Sequence, residues 1–118
     1  MRGFDKWLDD VLESDLPPEI VAVNFNLYDD GDGQWSIEFV GADSFDEEDS
    51  DWACDEVFTT RDDPFCWESE ASWEEIQEEA ADAIKAYLDE GAHADQLKQY
   101  EAVGVGFVDG ELELVYQA

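Results

Sequence analysis

Acidic residues dominate this chain of 118 residues: 34 are Asp or Glu and five are Lys or Arg, giving a net charge of −29. This charge excludes nucleic-acid binding through a basic surface, because carboxylates and phosphates repel each other, and it disfavours contact with anionic membranes. Hydrophobic residues nevertheless make up 44% of the chain and aromatic residues 14%. That apolar content predicts a folded chain, with one domain over residues 1–118.

The sequence also indicates a cellular compartment. It contains no run of about 18 apolar residues that would cross a membrane, and residues 1–7 lack the apolar core of a signal peptide. Cys54 and Cys66 occur without a second cysteine pair or a histidine cluster. We therefore expect a cytoplasmic protein with reduced thiols, no bound metal and no cofactor.

A short amphipathic helix and a hairpin are the first predicted elements. Residues 4–12 place apolar side chains at the i, i+3, i+4 spacing of a helix, and residues 17–18 (PP) cannot continue it. Apolar residues then alternate over 19–28 and 35–39, which predicts two half-buried strands. The turn over 29–33 (DDGDG) resembles the start of an EF-hand loop, but Gly41 stands where that loop needs a bidentate Glu. We therefore interpret this segment as a glycine and aspartate turn.

The middle of the chain concentrates the negative charge. Residues 43–79 hold sixteen Asp or Glu against Arg61 alone, interleaved with aromatic and apolar residues that include Trp52, Phe65 and Trp67. A third strand is predicted around residues 52–58. Core packing is the favoured role of each aromatic residue here taken singly, but tryptophan is enriched at binding hot spots. Trp67 is therefore kept as a candidate interface anchor.

A long helix and a second hairpin complete the chain. Ser72 and Glu75 form a capping box, an apolar stripe from Trp73 to Leu88 follows, and Gly91 supplies the end of the helix. Apolar residues at 94, 97 and 100 indicate a shorter helical segment. Two alternating runs then flank residues 109–110 (DG), which predicts a hairpin with a two-residue turn. The expected fold is α+β: an antiparallel sheet of about five strands, two hairpins plus one, packed by two or three helices.

Few residues could support catalysis. His93 is the only imidazole and follows a helix end, where a histidine more often contacts the terminal carbonyls. Cys54 lies among acidic neighbours that disfavour a thiolate, so we expect a buried structural cysteine. Among 34 acids, some pair of carboxylates will lie at any spacing that a glycosidase needs, so such pairs do not indicate a catalytic site. We expect no catalytic residue.

The charge pattern is the strongest functional signal in the sequence. On the long helix the pairs Glu74/Glu78, Glu75/Glu79 and Glu78/Asp82 place like charges at i, i+4, which costs roughly 0.2–0.5 kcal/mol per pair. One interpretation is a solvated face that keeps the protein in solution. The interpretation we favour is a surface kept negative for a positively charged partner.

Three segments together give the chain the character of a known class of protein. They are residues 51–56 (DWACDE), residues 72–76 (SWEEI) at the start of the long helix, and residues 103–110 (VGVGFVDG) in the closing hairpin. With its small size and strong acidity, the chain resembles the immunity proteins of bacterial polymorphic or contact-dependent growth inhibition toxin systems. The resemblance implies a non-enzymatic protein that binds one cognate basic toxin domain, often a nuclease, and blocks its active site or substrate groove. No residue roles follow from it.

Charge and expected exposure alone select the candidate partner-binding residues. They are Asp46, Glu47, Glu48, Asp49, Asp51, Asp62, Asp63, Trp67, Glu68, Glu70, Glu78, Glu79 and Asp82. The alternatives are a nucleic-acid mimic that occupies a host DNA-binding or RNA-binding protein, an acidic protein adapted to high salt, and an enzyme with a carboxylate-bound metal. Adaptation to salt should spread acids evenly over the surface, whereas these acids are clustered.

Overall fold

Two layers make up the fold, a six-stranded sheet and the helices that cover one of its faces. The computed structural model describes residues 2–108 and 110–118. The helices are α1 (Phe4–Glu13), α2 (Trp73–Glu90) and α3 (Ala94–Leu97), with a 3-10 helix at Ser50–Cys54; the strands are β1 (Ala22–Gly31), β2 (Gln34–Ala42), β3 (Glu56–Thr59), β4 (Phe65–Glu68), β5 (Ala102–Phe107) and β6 (Glu113–Gln117). The α+β class is confirmed.

The sheet differs from the prediction in the direction of one strand pairing. The order is β3-β2-β1-β5-β6, with β4 paired to β2 beside β3. Strands β1 and β5 run parallel, from the pair Val23 and Val103 to the pair Leu27 and Phe107, and the other pairings are antiparallel. The expectation of a wholly antiparallel sheet is therefore wrong, because the two predicted hairpins meet through their parallel strands at the centre.

Strand alternation decides which side chains enter the main core. Val23, Phe25 and Leu27 on β1 are fully buried in the cluster that α1 and α2 cover. Their neighbours on β1 point to the opposite face, which we call the second face. There Trp52, 4% exposed, packs against three alanines of β1, β2 and β5. The 3-10 helix thus covers one end of the second face.

The first turn and the start of α2 follow the prediction. Gly31, Asp32 and Gly33 have φ angles of 86°, 54° and 77°, the left-handed region that glycine and aspartate tolerate best. Before α2, the Ser72 hydroxyl oxygen accepts from the Glu75 backbone N–H at 3.4 Å and donates to the Glu75 carboxylate at 3.3 Å. The cap thus satisfies a backbone donor that the first turn of the helix leaves unpaired.

Four other details correct the sequence prediction. The segment predicted as a third strand divides into the 3-10 helix and β3, and β4 was not predicted. In the last hairpin Val105 pairs with Glu113, so the connection is longer than two residues; Asp109 of the predicted turn lies outside the described residues. Trp73, predicted to join the apolar stripe of α2, is 58% exposed.

Within residues 2–108 and 110–118, no helix has the length and apolar character needed to cross a bilayer.

Candidate functional site

The acidic residues 46–51 lie on an ordered loop over the second face of the sheet. Asp46, Glu47, Glu48, Asp49 and Asp51 are all exposed. The Asp46 carboxylate accepts from the Glu48 backbone N–H at 2.9 Å, and the Asp49 carboxylate accepts from the Asp51 backbone N–H at 3.0 Å. These two hydrogen bonds hold the Asp46 and Asp49 carboxylates at defined positions.

The acids between residues 62 and 70 lie at two separate places. Asp62 and Asp63 are exposed beside α1, where the Trp7 indole Nε1–H donates to the Asp63 carbonyl at 3.1 Å. Glu68 is exposed at the end of β4, and Glu70 lies beside the β1–β2 turn in a shallow groove of about 400 Å³.

The Trp67 side chain packs mainly against core residues. It is half-buried, stacks on Phe65 with ring centroids 5.8 Å apart, and packs against the main core. Its register partner is the buried Trp35, so the side chain faces the helices. Its Nε1 is buried without a hydrogen-bond partner among the described residues. Its contacts agree with the core-packing interpretation.

The third group of predicted acids lies on α2. Glu78 and Asp82 are exposed and Glu79 is half-buried. Because α2 and the 46–51 loop cover opposite faces of the sheet, the structure does not bring all the predicted acids into one patch. Asp82 and Glu78 instead lie beside a feature that the sequence did not predict.

That feature is a groove centred on Trp73, which we call the Trp73 groove. The Trp73 ring meets Phe107 edge-on at 6.1 Å and remains largely exposed. On one side of Trp73 the groove has a volume of about 600 Å³ and is flanked by Asp29 and Glu111. On the other side about 440 Å³ runs along α2 toward Lys85. Gln77 lines both parts, so they meet at this point of the helix.

Carboxylates line the part of the Trp73 groove that follows α2. Glu74, Glu78 and Asp82 lie in one row at intervals of four residues, and Glu113 of β6 lies across from them. Lys85 is the one cation in this lining. The groove therefore combines an exposed indole with a negative rim, an arrangement that favours a cationic side chain.

The second face carries a buried polar cluster. Glu38 of β2 is completely buried, and its Oε1 accepts from the Tyr28 hydroxyl and from Asn26 Nδ2. Its Oε2 lies 3.3 Å from Arg61 Nε. Arg61 also donates two hydrogen bonds to Glu56, at 3.0 and 3.2 Å. The pKa of Tyr28 is raised to about 12, chiefly by burial and then by the hydrogen bond to Glu38 and the negative charge of Glu38. Arg61 acts in the opposite direction and lowers this pKa.

The carboxylate sets the orientation of two neighbouring amides. Because Glu38 can only accept, Asn26 presents its Nδ2 to it, and its Oδ1 then accepts from Asn24 Nδ2 at 2.6 Å. The Asn24 Oδ1 at the far end is buried without a hydrogen-bond partner among the described residues. The Glu38 Oε2 likewise has no hydrogen-bond partner among the described residues, although it lies within ion-pair distance of Arg61.

A third polar group joins α1 to α2. The Tyr87 hydroxyl donates to the Asp9 carboxylate at 2.6 Å and accepts from the His93 backbone N–H at 3.2 Å. His93 Nε2 lies 3.1 Å from Glu13 Oε2. The expectation that this ring contacts helix-terminal carbonyls is wrong, because α1 brings a carboxylate to it. Burial, then the bond to Asp9, raises the pKa of Tyr87.

Both cysteines are free and exposed. The expectation that Cys54 is buried is therefore wrong: in the 3-10 helix Trp52 is the buried residue and Cys54 points outward. The two cysteines lie beside different ends of β2. Cys66 pairs with Ser36 near the start of this strand, whereas Cys54 precedes β3, which pairs with β2 near Ala42.

Comparisons with protein-family models, with curated proteins and with solved structures found no match for this chain.

Proposed function

We propose that this chain is a non-catalytic immunity protein that binds and neutralises a basic toxin domain, of nuclease type, in the bacterial cytoplasm. The supporting observation is the excess of carboxylates on a folded surface. The chain has 34 acids and five Lys or Arg, so acidic side chains outnumber these cations by 29. The fold presents many of these acids at exposed positions, as in residues 46–51, where hydrogen bonds hold Asp46 and Asp49.

The proposed mechanism uses this charge in two steps. At long range, the negative surface attracts a basic domain and raises the association rate, which lets the chain meet the toxin before the toxin meets its nucleic acid. On contact, ordered carboxylates occupy positions on the toxin that would otherwise bind phosphates. Inhibition then needs no bond-making step from this chain.

The proposal predicts that a basic toxin domain is encoded beside this chain, and co-expression of the two proteins tests it. The chain should restore growth of cells that produce the toxin domain, and the two purified proteins should form a stable complex that high salt weakens. A toxin variant without activity serves as the control for expression burden. Absence of both rescue and complex formation would overturn the proposal.

A nucleic-acid mimic would use the same electrostatics on a different partner. It predicts that the chain displaces DNA or RNA from a host nucleic-acid-binding protein and does not rescue cells from the toxin. Rescue without any effect on host protein–DNA complexes would favour the immunity role.

A further inference from the structure

We propose that the Trp73 groove binds an extended segment of the partner that carries arginines at alternate positions. The inference rests on the proposed function, since it names the part of a basic partner that this chain recognises. Its first support is Trp73 itself, a large aromatic side chain that is 58% exposed. The ring meets Phe107 in a near-perpendicular contact at 6.1 Å, and its exposure leaves aromatic surface for a ligand.

The spacing of the carboxylates provides the second support. Glu74, Glu78 and Asp82 are four residues apart, so consecutive members are separated by about 6 Å along the helix axis. In an extended segment, side chains on one side recur every two residues, or about 6.6 Å. Three cations at alternate positions would therefore match three carboxylates, over about 13 Å of segment and about 12 Å of helix.

The ends of the groove restrict its occupant further. Trp73 and Glu74 both line this part of the groove, so the first guanidinium can stack on the indole while it pairs with the carboxylate. Arginine fits this position better than lysine, because its planar group stacks on aromatic rings and binds carboxylates through two N–H groups. At the other end Lys85 repels a fourth cation, which limits the match to three positions.

Two peptides of equal composition separate this geometry from general attraction to an acidic protein. The probe is an acetylated and amidated Arg-Ser-Arg-Ser-Arg peptide, and the control is Arg-Arg-Arg-Ser-Ser with the same blocked ends. Both peptides carry three positive charges, so the long-range electrostatic field of the protein attracts them equally. Titration calorimetry with the full chain should show the alternating peptide binding at least fivefold more tightly. Equal affinities would overturn the proposal.

Matched variants locate the binding site on the protein. W73A should weaken the alternating peptide by about twofold to thirtyfold, the range for a lost cation–π contact, and W73F should retain part of the affinity. E78Q should weaken it severalfold, whereas E48Q, with the same charge change on the opposite side of the sheet, should change it less than twofold. Unchanged affinity in W73A, or equal losses in E78Q and E48Q, would contradict the proposal. An unchanged far-ultraviolet circular dichroism spectrum and an unchanged urea midpoint of W73F verify that the fold is kept.

The two proposals fail separately. A toxin that binds the wild-type chain and the W73A variant equally well would remove the role of the groove in toxin recognition and leave the immunity function intact. Lack of rescue by the wild-type chain would remove the immunity function, while preferential binding of the alternating peptide would still identify the groove as a site for a basic segment.

Discussion

Glu38 shows that the role of a charged residue depends on whether the fold buries it. In the sequence it alternates with Ile37 and Phe39 and has the pattern of a solvent-facing strand residue. In the fold it is fully buried, because the second face is covered as well. A buried carboxylate is tolerated only when it is paired and hydrogen-bonded, and Arg61, Tyr28 and Asn26 supply those contacts.

The first prediction concerns the cation of that cluster. R61A should lower the free energy of unfolding by about 2 kcal/mol, because it leaves the buried Glu38 charge without its ion pair; the partial exposure of Arg61 keeps the loss below that of a fully buried pair. K85A makes the same change of charge at an exposed helix position and should cost less than about 0.5 kcal/mol. Urea unfolding measures both. Equal losses would show that Arg61 acts only through the net charge.

The second prediction follows from the phenol of Tyr28. Its pKa is raised from 10.0 to about 12 in the folded protein, chiefly by burial. The folded state therefore holds this proton more tightly than the unfolded state, so the stabilisation is complete below pH 10 and is lost as the pH rises to about 12. In Y28F the free energy of unfolding should fall less steeply over this interval than in the wild-type chain. Identical slopes would contradict the assignment.

At the scale of elements, strong local patterns in the sequence predicted individual helices and strands. The pairing of strands that are distant in the sequence was not predicted. The apolar spacing in α1, the cap and stripe of α2 and the alternation in β1 and β2 are local signals, and all four elements formed. The parallel pairing of β1 with β5 is not local, since residues 32–101 separate the two strands. Strand β4 has only four residues, too few for an alternation to stand out.

The exposed Trp73 was missed for a related reason. Helical periodicity assigns the same face to every residue of the stripe, but it does not show where the sheet beneath the helix ends. Trp73 is the first residue of α2, and it reaches past the main core to the edge formed by Phe107. The acids of the groove could be predicted from i, i+4 spacing, whereas the partner side of the groove, with Glu113 of β6, required the fold.

The third prediction tests the close approach of chain segments at β5. A Cβ at position 106 would lie 2.6 Å from the Glu111 carbonyl oxygen and 2.8 Å from the Leu112 Cα, which are backbone atoms. A Cβ at position 104 would lie 2.6 Å from the Leu112 Cδ1, the tip of a flexible side chain, and 2.9 Å from Asn24 Oδ1. G106A should therefore lower the free energy of unfolding by about 1–3 kcal/mol and G104A by less. The reverse order in thermal or urea unfolding would show that segment 111–112 moves more easily than the Leu112 side chain.

At the scale of the whole molecule, the sheet divides the acidic surface into two sides. The 46–51 loop lies over the second face, and the row on α2 lies on the helical side. At about 0.01 M salt a partner that contacts one side still experiences the field of the other, because the Debye length is then about 30 Å. At 0.1 M salt it falls to about 10 Å, which is shorter than the smallest extent of the molecule, 26 Å, so the field of the far side is largely screened. Long-range attraction and direct contact can therefore be assigned to different residues of the same protein.

The last prediction separates those two contributions with variants of equal charge change. E47Q/E48Q/D49N and E74Q/E78Q/D82N each remove three negative charges, and the amides keep an acceptor oxygen for bonds such as that from Gln117 to Glu47 at 2.8 Å. Both triple variants should slow association with the toxin domain severalfold at low salt, because steering depends on total field. Only the α2 variant should also dissociate faster, since direct contacts act mainly on the dissociation rate. Stopped-flow mixing measures the association rate and surface plasmon resonance measures the dissociation rate, each at low and high salt. Faster dissociation of the 46–51 variant alone would place the contact surface on the second face, and association rates that do not change with salt would remove electrostatic steering from the mechanism.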